Sequence, residues 1–87
     1  MQDNLDSLRE RINQLDEQLV RLLNERAATA LEIGKLKNTS GTKVYDPIRE
    51  GVVIDKINKL NNGPLSKGDI EGIYREIITA CREIQLR

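Results

Sequence analysis

The chain has 87 residues, 38% of them hydrophobic, and its 14 basic side chains balance its 14 acidic ones, so one small domain with no net charge is expected. It has no histidine and a single cysteine, Cys81, which removes the commonest general base and metal ligand, an internal disulfide and any zinc spacing. No basic tract points to nucleic acid, and no apolar run nears the roughly 18 residues of a membrane span, so a soluble, cytoplasmic protein without metal or cofactor is expected.

The first predicted element is a long helix over about residues 3–38, free of proline and rich in Leu, Arg, Glu, Gln and Ala. Its apolar stripe runs Leu5, Leu8, Ile12, Leu15, Leu19, Leu22 in steps of three and four, one face of a helix. The next step lands on Arg26. The stripe recovers at Ala30 and Ile33 and ends at Leu36 beside Lys37. Some 36 residues at 1.5 Å each make a rod roughly 54 Å long, against a radius of gyration of about 12 Å for a compact chain of this length. The remaining residues cannot wrap such a rod, and a second copy is the simplest cover.

A polar turn, "NTSGTKVY", contains Gly41. "DPIRE" opens a short second helix over about residues 47–61, with Asp46 as N-cap and Pro47 in the first helical position. "NNGP" stops it, with Gly63 expected as a left-handed cap before Pro64. Ser66 and Asp69 form a capping-box pattern for a third helix over about 67–86, carrying Ile70, Ile73, Ile77, Cys81 and Ile84. The fold class is therefore all-α: one long, one short and one medium helix, in a single domain spanning 1–87.

Several polar residues fall on faces built for burial. Arg26 and Lys37 are 11 positions apart, about 20° in helical phase and roughly 16 Å along the axis. Ala27, Ala30 and Gly34 between them leave room for a cavity with a cation at each end. The ordinary alternative is that both stems lie on apolar surface with their charges in water, paired with Glu25 or Glu32. Gln85 follows Tyr74, Ile78 and Cys81 along an apolar flank, or is simply a frayed terminal residue. Capping accounts for Asp46 but leaves its neighbours Arg49 and Glu50 open. Cys81 has no histidine to activate it and fits a small buried hydrophobe. This set offers cations, an amide and carboxylates without an evident nucleophile. It suits an anionic substrate whose reaction needs folding and charge stabilisation rather than covalent help.

Four segments, "LRERINQLDEQLVRLLNER", "EIGKLK", "YDPIRE" and "YREIITACREIQ", resemble in order and spacing the all-helical chorismate mutase family, whose members are dimers of three-helix chains. The resemblance implies an intertwined homodimer and an isomerase that converts chorismate to prephenate on the route to phenylalanine and tyrosine. It gives Arg26 a substrate carboxylate, Lys37 the ether oxygen and a carboxylate, and Gln85 the second donor to that oxygen. Glu50 takes the ring hydroxyl, Asp46 makes a further hydroxyl contact, and Arg49 is another arginine of the pocket. Cys81 replaces a serine that the family often uses to contact a carboxylate, and a thiol is the poorer donor.

The resemblance also implies that Arg9 reaches into the partner's site. The helix geometry agrees: Arg9 is 17 positions before Arg26, about 25 Å along the axis and some 100° round it, too far to share one small ligand within a chain. Two alternatives remain open. One is an isochorismate pyruvate lyase on the same scaffold. The other is a regulatory and dimerisation module that binds chorismate or prephenate without turnover. Because family members occur fused to other shikimate-pathway enzymes, the chain is expected either as a free enzyme or as a domain of a bifunctional protein.

Overall fold

The computed structural model describes residues 4–87, and these form three helices: α1, Leu5–Ser40; α2, Pro47–Leu60; and α3, Lys67–Ile84. Asp3, where the sequence pattern starts the first helix, lies outside the described residues. Asn4 caps α1 with a reciprocal pair: its Oδ1 accepts from the Ser7 N–H at 2.9 Å, and its own N–H donates to Ser7 Oγ at 3.0 Å. The helix runs past the expected end. The Thr39 and Ser40 hydroxyls donate back to the Lys35 and Lys37 carbonyls, and the stop comes only at Gly41, in the left-handed region at φ 76°. There the Thr42 N–H closes the helix end by donating to the Lys37 carbonyl at 2.8 Å.

The end of α2 departs from the sequence expectation. Gly63 is not a left-handed cap; among the described residues Gly41 alone has positive φ. Asn61 caps the helix in extended backbone. Its side chain then organises the turn, donating from Nδ2 to the Leu65 carbonyl at 3.0 Å and accepting the Gly63 N–H on Oδ1 at 3.3 Å. An asparagine side chain that supplies a local acceptor and donor removes the need for a left-handed residue. Ser66 and Asp69 form the expected capping box on α3, at 3.0 and 3.2 Å. The last turn of α3 tightens: the Gln85 and Leu86 N–H groups donate three residues back, to Arg82 and Glu83.

Helix α3 packs on both α1 and α2, which are not packed on each other. The buried residues are few: Ala30 and Gly34 of α1, Ile54 and Ile57 of α2, Ile78 and Cys81 of α3. Asn58 Nδ2 adds a polar tie between α2 and α3, donating to Glu71 Oε1 at 2.6 Å. Only the second half of α1 is covered. In the first half the stripe from Leu5 to Leu22 is exposed, Leu5 by 60% and Ile12 by 55%. The chain measures 58 × 24 × 15 Å with a radius of gyration of 16.4 Å, well above the roughly 12 Å of a compact chain of this length.

Candidate active site

A cavity of about 200 Å³ lies where the covered half of α1 meets the 41–46 connection, the first turn of α2 and the second half of α3. Ala30, Ile33, Val44, Val53 and Ile78 give it apolar walls. Arg26, Lys37, Asp46, Arg49, Glu50, Cys81 and Gln85 also line it. The 20° phase relation on α1 therefore has a physical outcome: Arg26 and Lys37 are both half-buried and bracket the small residues that make room. Arg9 does not line the cavity; it lies on the exposed half of α1.

Lys37, Asp46 and Gln85 are each held by a hydrogen bond to backbone. Lys37 Nζ donates to the Val44 carbonyl at 3.3 Å, tying the end of α1 to the connection and leaving further N–H donors on the ammonium. Asp46 Oδ1 accepts from the Arg49 N–H at 3.0 Å, so the α2 cap also fixes the first turn that carries Arg49 and Glu50. Gln85 follows α3 directly and is half-buried rather than frayed. Its Nε2 donates to the Cys81 carbonyl at 2.9 Å, while its Oε1 is buried without a protein partner. Gly34 leaves it room: a Cβ there would stand 3.0 Å from both Cγ and Oε1 of Gln85.

Sequence reasoning missed Arg82 and its neighbour Tyr45. Arg82 lines the cavity, donates from Nη1 to Glu50 Oε2 at 2.6 Å and sets its guanidinium 4.7 Å from the centre of the Tyr45 ring. The signal was available: Arg82 is four positions after Ile78 and three before Gln85, hence on their helical face. Arg26, Lys37, Arg49 and Arg82 oppose only Asp46 and Glu50 among the lining residues. A chain neutral overall thus has a cavity with two surplus positive charges, and the apolar walls strengthen their field. Such a site can bind a dianion and supply fixed N–H donors. Among the described residues no cluster of three or more His, Cys, Asp or Glu could hold a metal ion, and no helix is long and apolar enough to cross a membrane.

The family model for chorismate mutase type II matches residues 8–86. The chain belongs to this family. It is 38% identical over 87 residues to a bifunctional chorismate mutase/prephenate dehydratase of Aquifex aeolicus, a match covering 95% of this chain and 24% of that protein. The chain thus spans about a quarter of the length of such bifunctional relatives. A chorismate mutase of Methanocaldococcus jannaschii is 33% identical over 60 residues, covering 69% of this chain and 61% of its own. Among solved structures, a chorismate mutase of Thermus thermophilus superposes with a TM-score of 0.95 at 29% identity, covering 98% of this chain and 97% of that one. The likeness extends over all three helices, the bare half of α1 included.

Proposed function

We propose that the chain is a chorismate mutase, catalysing the [3,3]-sigmatropic rearrangement of chorismate to prephenate in phenylalanine and tyrosine biosynthesis in the cytoplasm. The observation that carries the reading is the convergence of Arg26, Lys37, Glu50 and Gln85 on one net-positive cavity in a chain of this family.

The roles are those that the family resemblance implies, and the charge and placement of the side chains support them. Arg26 holds one substrate carboxylate in a charge-assisted bond, and Arg9 of a second copy holds the other from across a two-fold. Clamping both carboxylates favours the folded conformer in which the ends of the pericyclic array meet. As the C–O bond breaks, negative charge grows on the ether oxygen. The Lys37 ammonium and the second N–H of the Gln85 amide meet that charge, the first amide N–H being held by Cys81. Only the strengthening of these contacts at the transition state accelerates the reaction. Glu50 accepts from the ring hydroxyl, Asp46 contributes a further hydroxyl contact, Arg49 is another arginine of the pocket and Cys81 offers a weak thiol donor to a carboxylate.

The exposed stripe from Leu5 to Leu22 supports an intertwined homodimer, with the first half of each α1 covered by the other chain. The bifunctional relatives support partnership, by fusion or association, with an enzyme that consumes prephenate. Incubating catalytic protein with chorismate and identifying the product tests the reading. Prephenate is expected. Release of pyruvate from isochorismate identifies a lyase, and tight binding of chorismate without loss of its absorbance identifies a regulatory module; either overturns the proposal.

A further inference from the structure

The mutase roles above leave one charged cavity residue unused, and it makes the shortest polar contact of the site. Arg82 stands on α3, reaches the first turn of α2 through Glu50 at 2.6 Å and carries Tyr45 of the α1–α2 connection against its guanidinium at 4.7 Å. Both partners of the ion pair are largely shielded, with side chains 28% and 26% exposed. Exposed ion pairs contribute little to stability, but this one lies in a cavity wall. It engages Oε2 of the carboxylate, leaving Oε1 for a ligand.

We propose that Arg82 is a positioning residue: it holds the Glu50 carboxylate in the orientation that receives the substrate hydroxyl, and it offsets a negative charge that would otherwise face a dianion. The inference rests on the mutase reading of the cavity. A glutamate on the first turn of a helix has several rotamers open to it, and Arg26 or Arg49, which line the same cavity, would compete for it. The guanidinium narrows that freedom, because its place on α3 and the Tyr45 ring 4.7 Å away bound where it can lie. Arg82 thus acts through Glu50 and not on the reacting bond. The hydroxyl is retained through the rearrangement, so misorienting its acceptor weakens binding of the ground state and the transition state alike. The signature is a rise in KM larger than the fall in kcat.

A double-mutant cycle tests this, with Arg82→Met (which keeps the aliphatic stem) and Glu50→Ala assayed singly and together on chorismate, and with prephenate binding followed calorimetrically on the same proteins. Arg82→Met should lower kcat/KM roughly tenfold in the otherwise unaltered chain, chiefly through KM, but less than about twofold once Glu50 is already alanine. Arg82→Lys, which keeps a cation within reach, should recover part of the loss. Should Arg82→Met fold poorly, the comparison is carried by Arg82→Lys with circular dichroism as the check on folding. Equal losses in the two backgrounds, or a kcat loss with unchanged KM, overturn the positioning role while the mutase reading stands. An unaltered protein that neither turns over chorismate nor binds prephenate overturns both.

Discussion

Gln85 concentrates the residue-scale argument, because an amide donates without titrating. Gln85→Glu replaces a permanent donor with a group that donates only when protonated and repels the developing charge when ionised. Nearby Lys37 favours the ionised form and burial opposes it. The variant should be strongly impaired at neutral pH and recover as pH falls, whereas Gln85→Ala should stay impaired at every pH. Profiles of kcat/KM against pH for the two check this; a Gln85→Glu profile matching the unaltered protein would remove Gln85 from the ether oxygen. Gly34 extends the test. Alanine there gains helix propensity, up to about 1 kcal/mol, but its Cβ meets Gln85 at 3.0 Å and displaces the amide from its tight seat. Gly34→Ala should therefore lower kcat by about tenfold or more, the size of an effect expected when a transition-state donor is misplaced, with little loss in melting temperature. A fall in melting temperature with kcat intact would show that the amide is free to be elsewhere.

At the scale of elements, the long helix, its stripe and the interrupting cations were legible because a 3.6-residue period is written directly into residue spacing. The caps at Asp46 and Ser66 were legible for the same local reason. What was not legible depended on a choice between equally local solutions or on another element. Asn61 and Gly63 were both able to end α2, and the side chain that reaches Leu65 decided it. The partner of Glu50 is on α3, 32 positions away, beyond any local pattern. Gly41 is where a local rule governs an element and the site together, since it stops α1 one turn after Lys37 and turns the chain toward Val44. Gly41→Ala forces a Cβ into the left-handed region, at φ 76°, and should cost about 1 kcal/mol, read as a lower denaturant midpoint with an unchanged m-value. No shift would mean that the connection relaxes into a different turn.

At the scale of the whole molecule, the unused half of α1 and the isolation of Arg9 have one explanation in the proposed dimer, and mixing experiments separate it from a chance elongation. Arg9→Ala and Lys37→Ala should each be nearly inactive. Exchanging subunits between them places both substitutions in one site of the mixed dimer and leaves the other site intact. Statistical mixing makes about half the dimers mixed, so roughly a quarter of the unaltered activity should return. Sedimentation should show a dimer at micromolar concentration. A stable, active monomer, or no recovery after confirmed exchange, would separate Arg9 from the site.

The same bare stripe has a consequence in time, during synthesis. Residues 5–22 of α1 are made before α3, the helix that packs on the rest of it, and none of the later described residues covers them. At about 5–20 residues per second, the sixty-odd residues that follow take roughly 3–13 s to appear. Throughout that interval an apolar helix face awaits a chain that is itself still being made. The residues between the apolar positions, Arg9, Glu10, Arg11, Gln14, Asp16, Glu17, Gln18 and Arg21, keep the nascent segment polar and charged on its other faces and break any run that would pair as strands.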